Sequence, residues 1–343
     1  MTAKAPLLET LNGEQPSHRP VWLMRQAGRY MKAYQALREN YSFKQMVYLP
    51  EIAAEVTLQP VRAFGVDAAI IFSDILLVPE ALGCRVDFIE ERGPVFQKPI
   101  RTVDDIDRLP RWTDEAMFQP TAQAIRLVRK ELPPGVPVIG FCGAPWTLAA
   151  YMIEGGSSRQ FRHAKRFLYL EPEALHRLLA RLTEAAIQFL RIQVQAGAQV
   201  VQIFESWADQ LTPRQFHRFS LPYLQKIVQN LPGTPVILFA RGAGHSLKQL
   251  AETGARAISV DWQTDLTRAK KLVGRQVVLQ GNLDPAALYA PKQLLKTLTE
   301  SILNLFPHGY GHIFNLGHGV FQDTPEDRVR YLVDLVHEFN GGH

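Results

Sequence analysis

Cysteine is scarce in this chain of 343 residues: Cys84 and Cys142 are its only two, and each stands alone. Two isolated thiols exclude a disulfide-stapled secreted scaffold and point to a reducing, cytoplasmic compartment. No CxxC pair, HExxH helix or His-x-Cys accompanies them, so the common zinc patterns are missing. Long apolar runs are missing as well. The most hydrophobic window, 136–153, is broken by Gly140, Gly143 and Pro145, so it reads as strand, turn and helix rather than a membrane span. The first residues, Met1 to Leu8, carry neither an apolar signal core nor an Arg/Ser-rich transit pattern. Charge of one sign never accumulates. Lys and Arg number 38 against 33 Asp and Glu, and even the densest cluster, Arg268 to Lys271, reads as a helix surface. The net charge of +5 favours anionic ligands, but without basic runs or interleaved aromatics it does not imply nucleic acid. The Gly-rich fragment Gly140 to Trp146 matches neither GxGxxG nor a Walker loop, so nucleotide binding is weakly supported.

What is present is an ordinary globular composition, 46% hydrophobic and 21% charged, with a weakly repeated unit. A glycine closes a helical pattern and a β-rich run follows directly, as at Gly65 to Phe72, Gly197 to Phe204 and Gly254 to Val260. Glycine suits the left-handed position just past a helix, and such junctions alternate α and β to feed a parallel sheet. Eight runs qualify: 20–24, 68–72, 136–141, 199–204, 235–239, 256–260, 276–280 and 312–316. Helical patterns separate them at 50–64, 120–132, 171–196, 213–231, 247–253, 266–273 and 291–305, with 326–339 closing the chain. Eight strands with intervening helices predict an α/β fold, a single (β/α)8 TIM-type barrel; a doubly wound open sheet is the runner-up. No Pro/Ser-rich linker divides residues 1–343, so one domain is expected, with a Gly- and Pro-rich insertion near 80–111.

In such a barrel the carboxyl ends of the strands form the active face. Here they carry Arg25 and Arg29, Ser73 and Asp74, Gly143 to Pro145, Glu205 and Ser206, Arg241 to His245, Asp261, Asn282 and Asp284, and Gly317-His318-Gly319. The run Val21 to Met24 breaks into Arg25-Gln26-Ala27-Gly28-Arg29, two guanidinium forks four residues apart around a glycine turn. That spacing suits bidentate capture of several carboxylates or phosphates. Several arginines converging with one isolated carboxylate, Asp74, describe a pocket for a multiply anionic ligand with an acid at its floor. His308, His312 and His318 have loosely ligand-like spacing, but His308 and His312 straddle a turn into a strand and should face apart, so no metal is expected.

These segments resemble uroporphyrinogen decarboxylases over nearly the whole chain. The resemblance is carried by Pro20 to Tyr30, Ile71 to Ile75, Gly140 to Thr147, Tyr151 to Gly156, Phe204 to Trp207, Gln280 to Pro285 and Phe314 to Gly319. Small departures are Gln322, near which many members carry proline, Glu205, where some have Asp, and the variable stretch Leu238 to Gly244. The resemblance implies a (β/α)8 barrel, a homodimer with facing clefts, and no metal or organic cofactor. It also implies removal of the four acetate carboxyls of uroporphyrinogen III as CO2 to give coproporphyrinogen III, in haem or chlorophyll biosynthesis. By similarity, Arg25 and Arg29 hold carboxylate arms while Gln26, Ala27 and Gly28 close the loop around them. Arg38, a surface residue on its own context, aligns with a further substrate-contacting arginine. Asp74 matches the aspartate that gathers the pyrrole N–H groups, and Tyr151, Ser206 and His318 match the other polar contacts.

The expected catalytic set is therefore Asp74, Arg25, Tyr151 and His318. Decarboxylation requires protonation of a ring carbon and places positive charge on the pyrrole, which a fixed carboxylate stabilises. An arginine is a poor acid. His318 and Tyr151 have better-suited chemistry, and the sequence does not choose between them as proton donor. Two other readings compete. A corrinoid or thiol methyltransferase would need a thiolate-bound zinc that neither cysteine supplies, and a non-catalytic tetrapyrrole binder would have no use for Asp74.

Overall fold

The computed structural model describes residues 4–89, 92–307 and 311–339. Its strands are β1 (Ala69–Ile70), β2 (Val86–Ile89), β3 (Gly93–Phe96), β4 (Val138–Gly143), β5 (Val200–Glu205), β6 (Val236–Ala240), β7 (Ala257–Ser259), β8 (Val278–Gln280) and β9 (His312–Ile313). Seven of them pair in parallel in the order β1-β4-β5-β6-β7-β8-β9, while β2 and β3 form a separate antiparallel hairpin. The sheet closes on itself through residues 20–22. Phe314 N–H donates to Pro20 O (2.8 Å) and Trp22 N–H to Phe314 O (3.4 Å) on one side; Asp67 N–H donates to Val21 O (2.8 Å) on the other. With that segment as the eighth stave, every expected run takes a place in a (β/α)8 barrel. The open-sheet alternative, which requires two free edges, is excluded.

Local chemistry sets the junctions. Gly65 (φ +70°) and Gly197 (φ +118°) end the helices Pro50–Phe64 and Pro172–Ala196 in the left-handed region, where a side chain would be strained. The chain then turns directly into β1 and β5. One expected helix is interrupted: 213–231 is two helices, Pro213–Phe219 and Leu221–Gln229, meeting at Ser220. Pro222 lies in the first turn of the second, where a missing N–H is harmless but continuity with the first helix is lost.

Strand alternation sorts side chains between two cores. Trp22, Ile139, Val200, Ile237, Ala257, Val278 and Ile313 fill the barrel interior, with Leu7 and Leu11 of the helix Pro6–Asn12 packed among them. Val201, Ile203, Leu238 and Ile258 face outward against the helices. Fully burying each of these aliphatic groups stabilises by roughly 1.5–3 kcal/mol. Inside the barrel Trp22 Nε1 donates to Gln280 Oε1 and Gln280 Nε2 to Gln202 Oε1, both at 3.0 Å, giving these buried polar atoms partners.

Candidate functional site

The residues just past strand 20–24 build the first wall of a cavity of about 1440 Å³ at the carboxyl end of the barrel. That exceeds the ~300–1,000 Å³ of ordinary small-molecule pockets. Gln26 fixes the loop: its side chain is buried, accepts from Leu23 N–H (3.1 Å) and donates to Ala68 O (3.0 Å). Tyr30 Oη donates to Gln26 O (2.5 Å), so the turn is tied at both ends. Arg25 sits in the left-handed region (φ +59°), sparsely populated for a residue with a Cβ. Its stem lies against Gly319, where a Cβ would come within 2.3 Å of Arg25 Cδ. The Gly-His-Gly turn is thus a seat for Arg25 as well as a carrier of His318. Arg29 is exposed at the rim and donates to Gln322 Oε1 at 3.3 Å, the position where the sequence departs from its resemblance.

The floor is aromatic. Parity along the strands points Ile70, Phe141, Phe204 and Phe239 inward, and they line the cavity with Phe72. The Phe141–Phe204 and Phe204–Phe239 rings meet edge to face at 5.8 and 6.0 Å, a stable arrangement that leaves a continuous apolar surface. Gln193 pins Phe141, accepting from its N–H and donating to its C=O at 2.9 Å.

Asp74 emerges from this floor. One carboxylate oxygen accepts from Leu76 N–H at 2.7 Å, which fixes the side chain and leaves the other oxygen for a ligand. Burial among apolar walls pushes its pKa up to about 7; the Leu76 hydrogen bond and Lys44 act against that, and Glu80 adds to it. Tyr151, on the helix Pro145–Glu154, lines the same cavity, and burial raises its pKa, with Asp74 adding to the rise and Arg25 opposing it. His318 packs edge-on between Phe239 and Trp262 at 6.0 and 6.2 Å. Burial first, then the positive charges of Arg25 and Arg241, lower its pKa to about 4, so the ring is neutral at neutral pH. Ser206 follows β5 and reaches the cavity.

All ten expected site residues, Arg25, Gln26, Ala27, Gly28, Arg29, Arg38, Asp74, Tyr151, Ser206 and His318, line this one space. Arg38 is held by its bond to Tyr41 O (2.8 Å) on the helix Lys32–Asn40. The sequence reading missed the aromatic floor and the far wall. That wall comprises Lys44 and, from the hairpin, Asp87, Phe88, Ile89, Arg92 and Pro94. Lys44 Nζ donates to the buried Glu80 Oε1 at 2.6 Å, and Tyr48 Oη to Oε2 at 2.9 Å. Asp74 is therefore accompanied by a second lining acid, Asp87, which accepts from Gln97 Nε2 at 2.8 Å. Five cations, Arg25, Arg29, Arg38, Lys44 and Arg92, face two carboxylates.

Several strand-end candidates serve the scaffold instead. Glu205 alternates outward from Phe204 and is fully buried, accepting from Ser220 Oγ (2.8 Å) and Thr147 Oγ1; burial raises its pKa to about 7. Asp261 holds Gly242 N–H and Thr264 Oγ1, Asn282 bonds Asp261 O and Thr264 O, and Asp284 caps the turn after it. Arg241 pairs with Asp209 and lies over Trp207. His312 is buried, stacked 3.9 Å from Phe306, with Nε2 at 2.8 Å from Gly281 O, and is not grouped with His318 as a ligand; His308 lies outside the described residues. Burial also raises the Cys142 thiol out of the reactive range, and the Cys84 thiol to about 12. No helix among the described residues is long and apolar enough to cross a membrane.

The chain is similar to known proteins in sequence and in fold. The family described as Uroporphyrinogen decarboxylase (URO-D) matches residues 2–339. Proteins named uroporphyrinogen decarboxylase from Salinibacter ruber and Carboxydothermus hydrogenoformans are 47% and 45% identical. Each alignment spans 97% of this chain, and 95% and 96% of the relative. The one from Escherichia coli O1:K1 is 46% identical over 94% of this chain and 93% of its own. Among solved structures, a methyltransferase from Methanosarcina mazei superimposes with a TM-score of 0.80 at 22% identity, over 99% of both chains, a likeness of fold.

Proposed function

The chain belongs to the uroporphyrinogen decarboxylase family, a family of carboxy-lyases, and on that premise we propose how this cavity carries out the reaction. The carrying observation is a carboxylate fixed by Leu76 at an aromatic floor, inside a cavity ringed by five cations. A flexible tetrapyrrole macrocycle with eight anionic arms, able to pucker at its four CH2 bridges, complements each part. The macrocycle rests on Phe141, Phe204 and Phe239, its arms pair with Arg25, Arg29 and Arg38, and its pyrrole N–H groups turn toward Asp74. Each charge-assisted arm contact is worth roughly 1.5–3 kcal/mol. Contacts to spectator arms act equally on substrate and transition state, so they set affinity and register more than rate.

Asp74 differs because its partner changes charge. Protonation of a ring carbon makes the pyrrole cationic, and loss of CO2 neutralises it and leaves an exocyclic methylene. A proton added to that methylene completes the methyl group, and release of the first proton from the ring carbon restores the pyrrole, for a net uptake of one proton. Asp74 in its ionised form stabilises the cation most strongly, and pyrrole N–H donors favour that form over the neutral acid. Tyr151 and Ser206 supply hydroxyls to the arms, and neutral His318 supplies a ring N–H. In this reading no metal or cofactor takes part in these steps. The exposed Tyr289–Phe321 stack and Trp262 beside the mouth support the homodimer in this reading, which light scattering would test. A cytoplasmic setting fits the two free thiols.

The test is anaerobic incubation of the protein with uroporphyrinogen III, with and without a chelator, followed by oxidation and separation by carboxyl number. The expected outcome is a ladder from eight carboxyls to four in both samples. Unchanged octacarboxyl product from folded protein would refute the proposal.

A further inference from the structure

At the opposite end of the barrel, three residues distant in sequence converge. His18 precedes the closing strand, Asp67 precedes β1, and His337 ends the helix Glu326–His337. His18 Nε2 lies 2.8 Å from Asp67 Oδ1 and His337 Nε2 lies 2.9 Å from Asp67 Oδ2. The three ligand atoms fall within 4.8 Å of one another, the only such grouping among the described residues. The two rings stand edge to face, 4.8 Å between centroids, so both Nε2 atoms aim at one carboxylate. None of the three is needed by the cavity.

We propose that His18, Asp67 and His337 form a binding site for a divalent transition-metal ion, with Zn2+, Co2+ and Ni2+ as the class. Two imidazole nitrogens and a carboxylate are the donor set such borderline ions take, and ligand atoms around a four-coordinate ion at ~2.0–2.1 Å lie about 3.3 Å apart. The observed N–O separations, 2.8 and 2.9 Å, are about half an ångström shorter, so admitting an ion asks each imidazole to draw back from Asp67 by about that much. Outer partners are in place as well. Val21 N–H donates to Asp67 Oδ2 at 2.8 Å, and Ser17 Oγ lies 3.2 Å from His18 Nδ1. With its proton on Nδ1 facing Ser17, His18 presents the Nε2 lone pair, which is how a ligating histidine is usually oriented. Asp67 is nearly buried, at 10% side-chain exposure, whereas His18 and His337 are 32% and 30% exposed, so an ion can enter from solvent and complete its shell with water. Glu9 adds negative potential at His18, and its Oε2 is buried without a hydrogen-bond partner. Bound there, the ion would tie the closing strand, the start of β1 and the last helix together. It would stabilise the barrel without taking part in the decarboxylation.

Untagged protein titrated with Co2+ should show visible absorption of a protein-bound site, saturating at one equivalent. Zn2+ should displace the Co2+ and raise Tm. His18→Gln and His337→Gln keep a side-chain donor for Asp67, and their decarboxylase activity reports on folding. Each should weaken binding by at least about 10- to 100-fold, the loss expected even of an outer-shell partner, and abolish the Zn2+ effect on Tm. Absence of stoichiometric binding, or equal binding by wild type and the double variant, would overturn the proposal. The cluster would then be a hydrogen-bonded latch.

Discussion

Asp74→Asn isolates the charge on which the proposed chemistry depends. Asparagine keeps the size of the side chain and an oxygen to accept from Leu76 N–H, so the fold and the floor should survive. What is lost is one negative charge facing the pyrrole. A unit charge ~4 Å from that carboxylate is stabilised by about 4 kcal/mol at an effective dielectric of ~20. The transition state carries most of that charge, so about 3–4 kcal/mol is lost from the barrier, a fall of about 10²–10³ in kcat. The ground state loses only the difference between a charge-assisted and a neutral hydrogen bond, about 1–1.5 kcal/mol, so KM should rise by about tenfold at most. Initial rates of the first decarboxylation, measured anaerobically and resolved by carboxyl number, separate the two parameters. A kcat within about fivefold of wild type, in protein of unchanged Tm, would show that the Asp74 charge is not the main electrostatic element.

Further expectations follow from the same geometry. The log of kcat/KM should fall with unit slope below about pH 7, where Asp74 takes up a proton in the free enzyme, and Asp74→Asn should abolish that limb. Gly319→Ala places a Cβ 2.3 Å from Arg25 Cδ; it should displace Arg25 and raise KM by about 10–100-fold, the value of one charge-assisted contact. Glu205 has its folded-state pKa raised from 4.5 to about 7, so the native state binds the extra proton. That contribution is full below pH 4.5 and lost as pH rises toward 7, about 3 kcal/mol in all. Asp74, raised in the same way, contributes a loss of the same sign in both proteins, so urea unfolding at pH 5 and 8 should show a loss smaller by about the Glu205 share in Glu205→Gln than in wild type, and the variant should keep its kcat.

The barrel was legible because its signals are local: a glycine after helices such as Pro50–Phe64 and Pro172–Ala196, then a β-rich run. The arginine loop was legible for the same reason, since Val21 to Arg29 carries strand, turn and cations in one stretch. The aromatic floor was hidden because Phe141, Phe204 and Phe239 read as core residues wherever they sit. Only strand parity shows them to face the cavity. That same parity was available for Glu205: with Val200, Gln202 and Phe204 inward, the next residue must face the helices. Lys44 and the hairpin were hidden for a different reason. Lys44 lies 20 residues past the strand end at Met24 and β2 begins 16 residues past Ile70, and no spacing rule reports such a return to the cavity. The Ser17–His18 pair gave no signal either, because its partners Asp67 and His337 lie 49 and 319 positions further along.

The charges lining the cavity couple the proposed capture of an arm at Arg25 to the protonation of His318. A ring carbon needs an acid near neutrality, yet His318 is held at about 4 and Tyr151 is moved upward. At pH 7 an imidazole with a pKa of about 4 is protonated in roughly one molecule in a thousand. Two of the three influences that hold His318 low are the positive charges of Arg25 and Arg241; the largest is burial. A carboxylate arm paired with Arg25 cancels one of those charges and places a negative group near the ring, so it shifts His318 toward its protonated form. Gly319, packed on the Arg25 stem, keeps the two side chains in register so that one arm acts on both. On the proposed reading, an arm that does not react thereby makes His318 easier to protonate, and His318→Gln would remove that coupling while leaving Arg25 to hold the arm.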